Sequence, residues 1–172
     1  AIVGIGIGWL TAAMVTEAAV KLIVGLIAFG FVIRWFWQKY AGRDHPRDHN
    51  THSGAFWGAV SGFTSFVAHA GGPPYQVYAL PLGQDPKVYT ATSVVFFAVV
   101  NAVKLIPYFA LGELDTGNLT AASVLMPIAF ASTVAGAAVI KRMRAEVFYP
   151  ITYALVFLLS LKLIWDGALA IW

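Results

Sequence analysis

The chain has 172 residues, of which 59% are hydrophobic, 15% aromatic and 11% charged, and its mean hydropathy is +0.75. A soluble domain carries about 25% charged residues, so the composition excludes an ordinary soluble fold and specifies an integral membrane protein. The isoelectric point near 9.3 does not point to nucleic acid, because the Lys and Arg residues sit mostly at the ends of apolar segments and form no basic face interleaved with aromatics.

Ala1 to Val15 opens directly in Ile-Val-Gly-Ile-Gly-Ile-Gly-Trp-Leu. It has no basic leader of the signal-peptide kind and falls short of the roughly 20 apolar residues that a bilayer crossing needs. We therefore expect a fragment, with the first turns of this helix upstream of Ala1. Ala18 to Gln38 is a full span, closed by Arg34, Trp35, Trp37, Lys39 and Tyr40, the aromatic and cationic belt of a membrane boundary. Ala41 to Ser53 is the long polar stretch, a linker or exposed loop.

Gly54 to Ala70 is apolar and rich in small residues, but it runs into His69-Ala-Gly-Gly-Pro-Pro74. Two glycines permit unusual backbone angles, and Pro73 and Pro74 remove two amide donors and push the preceding residues out of the α region. A helix must stop here. Tyr75 to Leu82 is apolar again but too short to span, so the two halves read as a broken, re-entrant pair. Unpaired backbone at membrane depth is tolerated only where it is buried in protein or lines a polar cavity, which makes this break the candidate site.

Val88 to Leu111, Leu119 to Ile140 and Val147 to Trp172 are three further spans. If the broken pair enters and leaves on one side, the Lys39 to Arg47 loop, the Lys87 turn and Lys141 to Arg144 all face the cytoplasm, with Glu113 and Asp115 outside. A shift of 129 residues places Glu17 on Glu146 and Phe36 on Trp165, and the two copies then have opposite orientation, the inverted-repeat plan of many secondary transporters. The expected fold is all-α: a polytopic membrane helix bundle with inverted repeats and a re-entrant pair around Gly71 to Pro74. Residues 1–40 end a truncated first repeat, 41–53 form a cytoplasmic loop, and 54–172 form the second repeat.

Thr90, Ser93, Phe97, Asn101, Lys104 and Tyr108 follow steps of three and four and share one helix face. Lys104 either meets an anion or snorkels toward the outer interface. The helix start after Pro74 offers amides at Tyr75, Gln76 and Val77 to negative charge; the plainer reading is a tight turn with Gln76 a satisfied amide. Candidate substrate-binding residues are Gly71, Gly72, Pro73 and Gln76 at the break, with Thr92, Ser93, Asn101 and Lys104 on the following span. Thr64 and Ser65 read as returning hydrogen bonds to their own backbone. His69 is either a structural histidine or a proton relay.

His45, His49 and His52 with Asp44 and Asp48 have spacings open to a metal, but Pro46 and the polar composition favour a solvated loop, and no metal or other cofactor is expected. Lys162 and Asp166 read as a neutralising pair. With no cysteine there is neither a disulfide framework nor a thiolate site, and there is no P-loop, Gly-x-Ser-x-Gly elbow or His-Glu-x-x-His.

His69-Ala-Gly-Gly-Pro-Pro, Pro81 beyond it, and Thr90-Ala-Thr-Ser93 opening a span that contains Asn101 together resemble the sulfite exporter TauE/SafE family, also described as four-toluene sulfonate uptake permeases. The resemblance covers Ser53 to Trp172 along its length and Ala1 to Tyr40 as the end of a first half. It implies a permease in a bacterial inner membrane, not an enzyme, moving sulfite, sulfonates or related sulfur-containing anions by alternating access. The expected partners are a small anion and the lipid bilayer, with no nucleic acid. Two competing readings stand beside it: a non-transporting membrane subunit or scaffold using the stripe from Thr90 to Tyr108 for packing, and an intramembrane enzyme pairing His69 with Glu17 or Asp166.

Overall fold

The computed structural model describes residues 1–42, 46–112 and 116–171. The polar segments around Asp44 and His45 and around Glu113 and Asp115, to which the sequence assigns a solvated loop and an outer face, lie outside the described residues. Everything regular among the described residues is helical: α1 (Ile2–Thr11), α2 (Glu17–Tyr40), α3 (Thr51–Ala68), α4 (Gly72–Ala79), a 3-10 turn (Leu80–Leu82), α5 (Pro86–Ala110), α6 (Thr116–Ile140) and α7 (Ala145–Leu169). Four of them, α2, α5, α6 and α7, are long and apolar enough to cross a membrane. The all-α membrane architecture read from the sequence is thus the one found.

Helix boundaries follow local chemistry. Thr16 caps α2, its hydroxyl accepting the Ala19 amide at 3.3 Å, and Lys21 pairs with Glu17 at 2.6 Å one turn on. The chain enters α3 earlier than the polar composition predicts, taking in Thr51, His52 and Ser53. The cause is Asn50, whose side chain accepts the Ser53 amide at 2.9 Å and so satisfies one of the four amides that a helix start leaves unpaired. Asp85 does the same for α5 through the Lys87 amide at 2.9 Å.

The chain divides into two compact units, Ala1–Gln84 with Tyr149–Trp172, and Asp85–Phe148. In the first, the core gathers Val20 and Val24 of α2, Ala68 and Ala70 around the end of α3, and Leu163 of α7. Lipid tails are as apolar as leucine, so helices here gain by close packing and small residues let backbones approach. A Cβ at Gly4 of α1 would lie 1.8 Å from the Ala59 carbonyl oxygen of α3. One at Gly25 of α2 would lie 2.8 Å from the Ile164 backbone, and one at Gly167 of α7 2.6 Å from the Leu22 amide nitrogen. These glycines are contact points that admit no side chain.

α2 and α7 run antiparallel. As α2 advances from Leu22 through Gly25 to Phe29 and Trp35, its partners on α7 recede from Gly167 through Ile164 to Phe157 and Tyr153. The Trp35 and Tyr153 rings stack at 3.8 Å and 8°, with Lys39 Nζ 4.7 Å from the centre of the Trp35 ring. The shift of 129 residues carries the end of α1 at Thr11 onto the end of α6 at Ile140, and α2 at Glu17–Tyr40 onto 146–169 against α7 at Ala145–Leu169. It also carries Gly25 with Ile164 onto Ala154 with Trp35, within one residue of the Trp35–Tyr153 stack. Phe29 with Phe157, 5.7 Å apart, maps onto itself within one residue.

α3 and α4 form a hairpin that returns to the end where it began. The Arg47 amide donates to the Pro81 carbonyl at 2.7 Å, Tyr78 Oη donates to the Asn50 carbonyl at 3.3 Å, and a Cβ at Gly83 would lie 3.1 Å from Pro46.

The second unit holds α5, α6 and the first residues of α7. Tyr89 and Phe148 meet edge to face at 5.5 Å, and the 119–140 stretch of α6 has none of its length buried.

The α2–α7 seam yields a direct test. Gly25→Val is expected to lower the thermal midpoint of the detergent-solubilised protein by about 2–10 °C, the scale of about 1–3 kcal/mol of overpacking in a chain of this size. Gly30→Val, where a Cβ meets no atom within 4 Å, should leave the midpoint unchanged. Equal midpoints for the two variants would show that α2 and α7 do not meet at Gly25.

Candidate functional site

The break after α3 is built from three buried hydroxyl residues in the two turns upstream of it. Ser61 is 0% exposed and Thr64 3%, with Ser65 also buried. Ser61 Oγ donates to the Gly71 carbonyl at 2.7 Å. Thr64 Oγ1 lies 3.1 Å from the Ala70 carbonyl and 2.9 Å from its own Val60 carbonyl, and its single proton serves one of them at a time. The amides of His69 and Ala70 turn back onto the Thr64 carbonyl. His69 makes the turn in the left-handed region, at φ 53°, the only non-glycine to do so among the described residues. Its side chain is exposed.

α4 starts at Gly72, one residue before the proline pair, and not after it. Proline suits a first helical turn because its φ is preset and its missing amide would have had no partner there. The consequence corrects the expectation of amides offered at Tyr75, Gln76 and Val77. The Tyr75 amide donates to the Gly71 carbonyl at 3.3 Å, and Gln76 and Val77 lie inside the helical ladder. The amides left over belong to Gly71 and Gly72, which have no hydrogen-bond acceptor among the described residues.

The two glycines are not equivalent. A Cβ at Gly71 would lie 2.7 Å from Ser65 Cβ and 2.8 Å from the Ser61 carbonyl oxygen, whereas one at Gly72 would meet no atom within 4 Å. Gly71 is therefore required by packing against α3, while Gly72 opens onto space. Gln76 lies four residues on, on the same helix face, and its Oε1 is buried without a hydrogen-bond partner. An unpaired buried amide oxygen costs about 1–3 kcal/mol. The amide can turn either edge toward a ligand, since oxygen and NH2 exchange by rotation about the last side-chain bond.

The second unit holds the other candidates, all on α5. Lys104 is 5% exposed, with its Nζ 5.3 Å from the centre of the Tyr108 ring. The residue is buried, with its ammonium near an aromatic face. Pro107, three residues further on, removes the amide that would pair with the Val103 carbonyl, so the α5 ladder lacks one hydrogen bond next to its lysine. Ser93 Oγ donates to the Tyr89 carbonyl at 2.8 Å. Asn101 and Thr92 are both exposed. Ser93, Lys104 and Tyr108 thus lie toward the covered side of α5, and Thr92 and Asn101 do not.

Glu17 and Asp166, the carboxylates considered as partners for His69, are each engaged by a lysine one turn along their own helix, Lys21 and Lys162. Sequence reasoning missed Ser61, and it read Thr64 as bonding only to its own helix. The signal for both was the spacing Ser61-x-x-Thr64-Ser65 immediately ahead of a breaker, which points hydroxyls at the carbonyls that the breaker releases.

The model for sulfite exporter TauE/SafE matches residues 1–163 of the chain. The chain belongs to the TauE/SafE family. No curated protein matches it, and no solved structure does. Membership in this transporter family makes a break between two helices, seated in the core of a membrane protein, the natural place to look for the transported group.

The inequality of the two glycines is checked by alanine substitution at each. Gly71→Ala should cut the folded fraction recovered by size exclusion in detergent severalfold, since about 1–3 kcal/mol of overpacking shifts a marginal folding equilibrium by that much. Gly72→Ala should leave the folded fraction intact. A folded Gly71→Ala protein would refute the close approach of the break to α3.

Proposed function

We propose that the protein is a permease for a small sulfur-containing anion, sulfite or a sulfonate, bound at the broken helix and moved by alternating access. The observation that carries this reading is the pair of unpaired amides at Gly71 and Gly72, the second opening onto space, in a member of a family of sulfite exporters. The start of a helix favours negative charge through its dipole and its free amides. Two prolines in the first turn withdraw the other donors, so binding is confined to a few groups and stays weak enough for release. Gln76 adds an amide on the same face, and Lys104, within the span of α5, is a separate candidate for contact with an anion.

The hairpin of α3 and α4, whose ends meet at Arg47 with Pro81 and at Asn50 with Tyr78, supports a re-entrant segment in a bacterial inner membrane. In that topology the cationic ends at Lys39 to Arg47 and Lys141 to Arg144 face the cytoplasm. The antiparallel seam of α2 and α7 supports inverted repeats that rock about a fixed site.

Labelled sulfite uptake by proteoliposomes holding the full-length protein tests the reading, with sulfonates, sulfate and acetate as competitors. Saturable uptake is expected, falling about 10- to 100-fold in Gln76→Ala and in Lys104→Ala at equal incorporation, the scale of one lost hydrogen bond or contact to a charged ligand. No uptake above empty liposomes from folded protein would leave the scaffold reading as the better account.

His69 is proposed as the group that links transport to protons, because imidazole ordinarily changes charge between about pH 5 and 8 and this one sits exposed at the break. Uptake should vary with pH across that range, and His69→Asn, which tolerates the left-handed backbone, should flatten the profile without abolishing uptake. A profile already flat in the unaltered protein removes His69 from the role.

A further inference from the structure

We propose that Ser61 and Thr64 are positioning residues of the anion site, their hydroxyls drawing the Gly71 and Ala70 carbonyls onto α3 so that amides, and not carbonyl oxygens, are presented at Gly72. The inference rests on the anion reading above, and it explains how that reading can hold at a place of mixed sign. At any break within a helix, the carbonyl-rich end of one half meets the amide-rich end of the other. An anion is repelled by the first and attracted by the second, so the sign of the break depends on which backbone groups are already occupied.

Here three of the carbonyls nearest the glycine pair, those of Thr64, Ala70 and Gly71, are occupied. The Gly71 oxygen has two lone pairs and receives two donors, the Tyr75 amide at 3.3 Å and Ser61 Oγ at 2.7 Å. The Ala70 oxygen lies 3.1 Å from Thr64 Oγ1, and the Thr64 oxygen receives the amides of His69 and Ala70. The Gly71 and Gly72 amides find no acceptor among the described residues.

A buried serine in a helix commonly returns its proton to the carbonyl four residues back. Ser61 instead reaches ten residues forward across the break, so its hydroxyl is committed to the loop and not to its own helix. Thr64 divides among the Val60, Ser61 and Ala70 carbonyls, which makes Ser61 the stronger of the two. Neither touches the anion, since both are enclosed.

These 172 residues contain no cysteine, so Gly72→Cys, with any cysteine elsewhere in the full-length protein replaced by serine, introduces a single thiol at a position with room for it. The test compares its alkylation by a negatively and a positively charged methanethiosulfonate in the full-length protein. With Ser61 and Thr64 intact the anionic reagent should be favoured, relative to the same pair of reagents on free cysteine. Ser61→Ala and Thr64→Val should each lower the anionic-to-cationic ratio about three- to tenfold, the scale of one buried hydrogen bond, while Thr64→Ser, which keeps the hydroxyl, should restore it.

The ratio is independent of whether the protein folds slightly less well, because both reagents report on the same folded molecules. An unchanged ratio in Ser61→Ala and Thr64→Val, or an equal fall in Thr64→Ser, overturns the positioning role while leaving the anion site standing. A Gly72→Cys protein that stays unlabelled, or that prefers the cationic reagent with both hydroxyls present, overturns the anion reading and the inference with it.

Discussion

Backbone without partners is the constraint on which the rest of this structure depends. In hydrocarbon each unpaired amide or carbonyl costs several kcal/mol, and a helix interrupted by Gly-Gly-Pro-Pro releases several of them at once. The chain meets this with side chains in the two turns upstream, with prolines that delete donors, and with a core of Val20, Val24, Ala68, Ala70 and Leu163 closing around the break. What survives unpaired is small in number, and its location follows from what was paired.

Packing in the first unit serves the same end. Gly4, Gly25 and Gly167 bring neighbouring backbones together where side chains would hold them apart, and α2 and α7 form an antiparallel seam against which the end of α3 is seated. The seam is nearly its own image under the internal shift. Under that shift Gly25 falls on Ala154 and Ile164 on Trp35, so small residues fall on small ones and large on large. Close packing of that kind behaves as a bistable contact and not as a soft one.

Much of this was legible in the sequence. Hydropathy located the four long helices to within a few residues, because roughly 20 apolar residues leave little freedom in a bilayer, and the breaker announced itself through Gly71, Gly72, Pro73 and Pro74. The start of α4 was not legible: proline reads equally as a barrier before a helix and as its first turn, and only the position of the Gly71 carbonyl decides. The reach of Ser61 was hidden for a similar reason, since a hydroxyl's partner ten residues away is a tertiary fact. Lys104 illustrates the third limit. Its distance along α5 from an interface is readable, but the burial that holds it against Tyr108 comes from packing.

α6 stands apart from all of this. It is as apolar as the other spans, yet the stretch 119–140 has no buried portion, and small residues such as Ala129, Ser132, Gly136 and Ala137 are spread around it among larger ones. In lipid, exchanging one exposed apolar residue for a bulkier one is close to neutral, because tails yield where protein does not. Mutational tolerance along α6 is therefore a map of its surroundings: each position that rejects a larger apolar residue marks a neighbour pressing on the helix, and each that accepts one marks lipid.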